Sequence, residues 1–112
     1  MEVSGEIEGG AFVARVGQSR IDAPVALAFK DEMRRVCADA PERVVLDLRQ
    51  VDFIDSSGLG AIVATMKHLS PDRQLVLAGL TDAVDRVFRL TRMDSVFDIY
   101  VEYADALGGG HD

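Results

Sequence analysis

Hydrophobic positions recur along the chain with two different spacings, and each spacing predicts one kind of element. Continuous apolar runs at residues 44–48 and 74–78 are typical of strands covered on both faces. Apolar residues at i, i+3, i+4 and i+7 within residues 59–69 lie on one face of a helix. Residues 25–37 and 84–91 repeat that spacing, so the sequence predicts one further helix before the central one and another after it.

The two ends of the chain predict shorter elements. A glycine pair at residues 9–10 separates two extended segments, residues 6–8 and 11–16. Paired glycines supply the positive φ angles of a tight hairpin turn, so we expect an N-terminal β-hairpin. Near the C-terminus, residues 96–100 predict a short last strand and residues 101–107 a final helix.

The predicted order of elements is β-β-α-β-α-β-α-β-α. Alternation of strands and helices favours right-handed crossovers, and hence an α/β fold with a mixed, mostly parallel sheet and helices packed against it. Residues 1–107 are expected to form a single domain. The glycine-rich residues 108–112 are expected to form a flexible tail.

Composition and charge narrow the classes of function. The net charge of −7, from 19 acidic and 12 basic residues, disfavours binding to nucleic acid or anionic lipid and suits a partner with a basic face. No apolar run approaches about 18 residues, and the N-terminus lacks the basic and apolar regions of a secretion signal. The single cysteine, Cys37, fits a reducing compartment and a core-facing helix position. We therefore expect a cytoplasmic protein with no membrane insertion and no direct nucleic acid contact.

The candidate chemistry lies at the predicted start of the central helix, where Asp55, Ser56 and Ser57 stand together. A helix start leaves about four backbone N–H groups without intrahelical partners and carries a partial positive charge. A serine there can cap the helix, which contributes roughly 1 kcal/mol, and an anion there is partly stabilised. Position and residue type therefore leave a structural cap and an anion site open.

Residues 53–60, Phe-Ile-Asp-Ser-Ser-Gly-Leu-Gly, resemble the signature of STAS-domain anti-sigma factor antagonists, small bacterial switch proteins also called anti-anti-sigma factors. In that family an Asp, two Ser or Thr residues and Gly-Leu-Gly mark a strand-to-helix junction. The element order also matches the STAS fold, over about residues 5–105. The resemblance implies that Ser56, which follows the aspartate, is phosphorylated. It leaves Ser57 as the cap of the helix or as a small filler beside it.

The resemblance also implies the partners. The unphosphorylated protein would bind an anti-sigma factor, a serine kinase of the GHKL type, and so free a sigma factor for transcription. Phosphorylation by that kinase would release it, and a PP2C-type phosphatase would restore it. ATP and magnesium belong to the kinase, so no cofactor is expected in this chain. The docking surface carried over from the family comprises Asp22, Asp55, Ser56, Ser57, Gly58, Leu59 and Gly60.

Several residues at this surface have two interpretations. Asp22 is either an ordinary cap of the first helix or an acid beside the phosphorylation site. The amides of residues 57–59 are expected to take the phosphate oxygens. A run of small residues favours either close helix-to-sheet packing or a flat surface that a partner approaches: Gly58, Gly60, Ala61 and Ala64.

Three other positions carry expectations of their own. Asp47 lies inside a predicted strand and is expected to be a structural, hydrogen-bonded acid. The family often has glycine where Ser19 and Arg92 stand. If Arg92 must adopt a left-handed backbone conformation, that conformation costs about 1 kcal/mol.

The spacing of the polar residues disfavours an enzyme. Ser56 and His68 are separated by about 18 Å along one helix, whereas a general base must lie within about 3 Å of its nucleophile. His111 lies in the predicted tail, and residues 55–58 do not form a G-x-S-x-G elbow. The sequence has no G-x-x-x-x-G-K-[ST] phosphate loop and no zinc-binding spacing. We expect neither catalysis nor a metal site.

The same fold allows an alternative function. STAS domains also serve as accessory or regulatory subunits of membrane transporters, such as lipid ABC systems, and as parts of signalling scaffolds without a phosphorylation cycle. The pair Asp55–Ser56 matches the phosphorylatable form of the family, which favours the switch.

Overall fold

The computed structural model describes residues 1–107, so the predicted tail at residues 108–112 lies outside the described residues. The strands are β1 (Val3–Glu8), β2 (Ala11–Val16), β3 (Arg20–Ile21), β4 (Arg43–Asp47), β5 (Phe53–Ile54), β6 (Gln74–Ala78) and β7 (Asp98–Tyr100). The α-helices are α1 (Ala23–Val36), α2 (Ser56–Leu69) and α3 (Asp82–Leu90). Two 3-10 helices, Met93–Ser95 and Tyr103–Leu107, flank the last strand.

The main sheet has five strands in the order β1-β2-β4-β6-β7. β1 and β2 are antiparallel, whereas the other three pairings are parallel. The N-terminal hairpin turns at Gly9 and Gly10, whose φ angles of 55° and 84° require glycine-like freedom. The structure therefore confirms the predicted α/β fold with its mixed, mostly parallel sheet.

A second, two-stranded sheet was not predicted. It pairs β3 with β5 in parallel, with Arg20 opposite Phe53 and Ile21 opposite Ile54. Strands of two residues are too short to show a hydrophobic period, which explains why the sequence does not reveal them. This small sheet matters because each of its strands leads directly into a helix.

The core lies between the helices and one face of the main sheet. Its largest side chains come from all three helices and from alternate positions of β4 and β6: Phe29, Met33, Ile62, Phe88, Leu46 and Leu77. Cys37 is buried there as predicted, and burial raises the pKa of its thiol to about 11. The thiol is therefore protonated at neutral pH.

The opposite face of the sheet is covered by the C-terminal segment. Small side chains from β2, β4 and β6 pack there against Ala106 and Tyr103. Arg43 fastens this segment, because its Nε and Nη2 atoms donate to the carbonyl oxygen of Ala106 at 3.2 and 2.9 Å. The predicted final helix at 101–107 is thus shorter than expected, a 3-10 helix that begins at Tyr103.

Asp47 is a buried structural acid, as predicted. Its side chain is 1% exposed and lies on the face that the C-terminal segment covers. Its Oδ2 accepts hydrogen bonds from Arg15 Nε at 2.7 Å and Arg49 Nη2 at 2.9 Å. Its Oδ1 accepts from the Arg49 amide and Nε, each at 3.0 Å. Burial raises the pKa of Asp47, but the hydrogen bonds from Arg49 and Arg15 outweigh burial and leave that pKa lowered.

Arg92 adopts the left-handed conformation that the sequence suggested. Its φ angle is 63°, and it directly follows Thr91, the C-terminal cap of α3. A left-handed residue there allows the chain to turn from α3 into the 3-10 helix Met93–Ser95. The strain of about 1 kcal/mol is the consequence of arginine at a position that suits glycine.

We expect Asp47→Asn to destabilise the protein by about 2–4 kcal/mol at pH 7, because two guanidinium groups lose their shared carboxylate. The lowered pKa means that this stabilisation is present above the unfolded-state pKa and is lost as pH falls. The stability difference between variant and parent should therefore narrow below about pH 4. Urea unfolding at several pH values measures this difference.

The matched control is Glu32→Gln, which breaks the exposed Glu32–Arg35 pair on α1. Screening by solvent makes such pairs weak, so its unfolding curve should nearly overlie that of the parent. A difference between Asp47→Asn and the parent that stays constant from pH 7 to pH 3 would contradict the assigned role.

Candidate phosphorylation site and docking surface

Two strand-to-helix corners lie side by side at one end of the molecule. β3 continues through Asp22 into α1, and β5 continues through Asp55 into α2. Because β3 and β5 are parallel and in register, the starts of the two helices are neighbours. Ile21 and Ile54 are buried beneath them and fix both strands to the core.

One carboxylate connects the two helix starts. Asp55 Oδ1 accepts a hydrogen bond from the Gly58 amide at 2.9 Å, which caps α2. Asp55 Oδ2 accepts from the Ala23 amide at 3.0 Å, which satisfies the first residue of α1. The hydrogen bond from Gly58 is the main cause of the lowered pKa of Asp55, and the amides of Ala23 and Ser57 lower it further. Asp55 is therefore ionised at neutral pH and holds the corners together.

This geometry corrects the predicted caps. Ser57 is not the cap of α2, because it is the second residue of the helix and Asp55 makes the capping bond. Asp22 occupies the N-cap position of α1, but its side chain makes no capping hydrogen bond. Its Oδ2 accepts instead from Arg20 Nε at 2.9 Å. An N-cap side chain usually binds the second or third amide of its helix. Here the second residue is Pro24, which has no N–H, and the Val25 amide donates to the Asp22 carbonyl oxygen at 3.0 Å.

Ser56 and Ser57 are the first two residues of α2, and both are exposed. Asp55 performs the capping role that a serine hydroxyl often fills, so the structure does not need either hydroxyl for the cap. Ser56 is therefore an accessible residue, directly after Asp55 and at the corner where α1 also begins. An exposed hydroxyl at a helix start can accept a phosphoryl group without rearrangement of the core.

The backbone amides at this helix start are less available than predicted. The Gly58 amide donates to Asp55 Oδ1, and the Leu59 amide donates to the Asp55 carbonyl oxygen at 2.9 Å. The Ser57 amide also contributes to lowering the pKa of the Asp55 carboxyl group. In the unmodified chain Asp55 engages these donors, so phosphate oxygens would have to replace Asp55 in these hydrogen bonds.

The small residues of α2 divide into two groups. Gly58 is buried, and a methyl group there would overlap the carbonyl oxygen of Ile21. Ala61 is also buried, so this side of the helix packs closely, as one of the two interpretations held. Gly60 is exposed, and a methyl group there would meet no atom within 4 Å. The exposed part of the predicted docking surface thus excludes Gly58 and includes Gly60.

Sequence reasoning missed Arg20 and Phe53. Phe53 is 41% exposed, and the guanidinium carbon of Arg20 lies 4.1 Å from the centroid of its ring. The two residues are 33 positions apart in sequence and meet because they are opposite in the β3–β5 register. No local pattern carries that information, although an aromatic residue two positions before Asp55 is visible in the sequence.

The other candidate polar residues do not join this site. His68 is the penultimate residue of α2, at the opposite end of the helix from Ser56. Within residues 1–107, no group of three or more His, Cys, Asp or Glu side chains is placed to hold a metal ion. Among the same residues, no helix is both long enough and apolar enough to cross a membrane. His111 lies outside the described residues.

Comparison with known proteins places this geometry in a family. Residues 3–106 match the family model of the STAS domain. The chain therefore belongs to the STAS domain family, and proteins named anti-sigma factor antagonists are among its relatives. The anti-sigma-F factor antagonist RsfB of Mycobacterium tuberculosis is 29% identical over 100 residues, which cover 89% of this chain and 81% of that protein.

Solved structures extend the comparison. An anti-sigma factor antagonist from Mycobacterium paratuberculosis superposes with a TM-score of 0.85 at 31% identity, over 99% of this chain and 94% of that chain. The murine solute carrier 26 family member A9 anion transporter also contains the fold, with a TM-score of 0.70 at 15% identity. That match covers 86% of this chain but 17% of the transporter, and at this identity it shows the fold alone.

We expect Gly58→Ala to destabilise the protein by about 1–3 kcal/mol, because the added methyl group must displace the backbone at Ile21. Gly60→Ala, two residues further along the same helix, is the matched control. Its methyl group enters open space, so it should stabilise the protein by about 0.5–1 kcal/mol through helix propensity. Thermal unfolding of both variants measures the contrast. Equal effects at the two positions would contradict close packing at Gly58.

Proposed function

We propose that this protein is an anti-sigma factor antagonist that is switched by phosphorylation of Ser56. The observation that carries the proposal is the exposed hydroxyl of Ser56, which follows the Asp55 cap and which the cap does not need. The relatives named anti-sigma factor antagonists support the same function. In this role the chain acts as a regulatory binding protein and as the substrate of other enzymes, not as an enzyme.

The chemistry of the switch takes place on Ser56 Oγ. An anti-sigma factor kinase of the GHKL type transfers the γ-phosphoryl group of ATP to this oxygen. The new O–P bond replaces the hydroxyl O–H bond, the proton leaves, and ADP departs with the bridging oxygen. A PP2C-type phosphatase restores the serine by hydrolysis, which consumes water and releases inorganic phosphate. ATP and magnesium are bound by the kinase, and both steps occur in the cytoplasm.

The consequence of phosphorylation is electrostatic. A phosphate on Ser56 adds about −1.5 to −2 charges at pH 7 beside Asp55 and Asp22. A partner that covers this corner would have to remove water from this dianion, which costs several kcal/mol. Each 1.4 kcal/mol lowers affinity about tenfold, so this cost is sufficient to release the partner. The docking surface comprises Asp22, Asp55, Ser56, Ser57, Leu59 and Gly60.

The runner-up function is a STAS subunit of a membrane transporter. The fold does not discriminate between the two, because the murine anion transporter contains it as well. The exposed serine at the start of α2 supports the switch, because phosphorylation requires an accessible acceptor oxygen. Affinity purification from the native cell separates them: an ATP-binding kinase supports the switch, and a permease or ABC ATPase supports the transporter role.

We expect Ser56→Ala to take up no phosphate from the kinase and ATP while it retains binding to the anti-sigma factor. The change removes the acceptor oxygen and leaves the Asp55 cap intact. Incubation with radiolabelled ATP, followed by mass spectrometry of the modified peptide, measures uptake. Ser57→Ala is the control and should be phosphorylated like the parent. Phosphate on Ser56→Ala at any other residue would refute the assignment.

We expect Ser56→Asp to weaken binding to the anti-sigma factor by at least about tenfold, because it places a permanent charge in the docking surface. The fold should persist, since an acid in the first turn of a helix is favourable. Isothermal titration calorimetry measures the affinity, and thermal unfolding should agree with the parent within a few degrees. Ser4→Asp, the same change on the exposed part of β1, should leave affinity unchanged. Global unfolding of Ser56→Asp would count against the switch.

A further inference from the structure

Arg20 is the one exposed cation among the described residues of the two corners, where β3 leads into α1 and β5 leads into α2. Arg20 donates from Nε to Asp22 Oδ2 at 2.9 Å, and its guanidinium group stacks on Phe53. The Arg20 side chain is 57% exposed, whereas the Asp22 side chain is 15% exposed. Arg20 itself is mostly exposed, so this ion pair contributes little to stability and the guanidinium group can change its partner.

Two of the backbone amides nearest Ser56 are already engaged by Asp55. Asp55 accepts from the Gly58 amide through its carboxylate and from the Leu59 amide through its carbonyl group. Phosphate oxygens could take these amides by breaking the cap of α2, which also holds the start of α1. A side-chain cation would supply a counter-charge to the phosphate and leave this cap intact.

Arg20 is placed to supply that charge. It lies opposite Phe53, three residues before Ser56, in strands about 4.8 Å apart. The next residues along the two strands bring Ala23 against Asp55, directly before Ser56. Arginine forms bidentate, charge-assisted hydrogen bonds with phosphate, and a dianion attracts it more strongly than one carboxylate does.

Three other arginines lie away from the paired corners. Arg15 and Arg49 bind Asp47 on the far face of the main sheet. Arg34 lies towards the C-terminal end of α1, where it lines a small cavity with Thr65 and His68 from the second half of α2. These placements leave Arg20 as the arginine of the corner.

We propose that Arg20 is the counter-ion of phosphorylated Ser56, and that phosphorylation moves its guanidinium group from Asp22 and Phe53 to the phosphate. This inference rests on the proposed phosphorylation of Ser56. The exchange changes the docking surface at two residues, because Ser56 gains the phosphate and Asp22 loses its ion-pair partner. It also uncovers one face of the Phe53 ring, next to that surface. A partner that recognises the stacked Arg20–Phe53 pair therefore meets a different surface after phosphorylation.

The test uses the full chain with phosphoserine inserted at position 56 during translation, so that no kinase is needed. Phosphorus NMR follows the second ionisation of the phosphate in the parent and in Arg20→Gln. A neighbouring cation favours the dianion, so Arg20→Gln should titrate about half a pH unit higher than the parent. Arg86→Gln, which removes an exposed arginine from α3, is the matched control and should titrate like the parent.

A second measurement keeps the result independent of the variant's stability. The Nε–H resonance of Arg20 should shift between the parent chains with serine and with phosphoserine, whereas that of Arg86 should not. Identical titrations of Arg20→Gln and the parent, or an unchanged Arg20 resonance, would overturn the proposal. Neither readout involves a partner, so failure here is distinct from failure of Ser56→Asp to weaken anti-sigma factor binding.

Discussion

The carboxylate of Asp55 is the interaction on which the rest of this site depends. One oxygen caps α2 through Gly58, and the other accepts the first amide of α1 at Ala23. Two helices that are separated in sequence by β4 and β5 thus begin from one shared acid. Because Asp55 accepts hydrogen bonds from the Gly58 and Ala23 amides, neither of the two serines that follow is needed to cap a helix. The position of a free hydroxyl beside a rigid corner is therefore a consequence of Asp55 and not of the serines.

Three aspartates in this protein are held in three different ways. Asp47 is buried and bound by two guanidinium groups, so it stabilises the sheet and its C-terminal cover. Asp55 is bound by backbone amides and organises the corners. Asp22 is bound by one exposed arginine, and a stronger anion can compete with Asp22 for that arginine. The hydrogen bonds of these aspartates become easier to replace from the buried Asp47 to the surface pair of Asp22 and Arg20. The candidate phosphorylation site lies beside that surface pair.

The sequence was sufficient for the fold and insufficient for the contacts across the corner. The glycine pair predicted the hairpin, the continuous apolar runs predicted the covered strands, and the helical spacing of apolar residues predicted the three helices. Asp47, Cys37 and the left-handed Arg92 also agree with expectation. The sequence left Ser57 open as a cap or as a small filler, because a local pattern does not rank competing hydrogen-bond acceptors. The contacts of Arg20 with Phe53 and of Asp55 with Ala23 depend on the β3–β5 register, which two-residue strands do not reveal.

Because Cys37 is buried, the rate at which its thiol reacts reports how often the surrounding core opens to solvent. The thiol lies in the core just after α1, with its pKa raised to about 11, so reagents that require a thiolate cannot reach it in the closed structure. The chain of 112 residues contains no second cysteine to compete. The rate at which a disulfide reagent labels the unaltered protein therefore measures how often the core beneath α1 opens. The same labelling rate can be used to compare how ligands or modifications at the N-terminal end of α1 change this opening, and no engineered probe is needed.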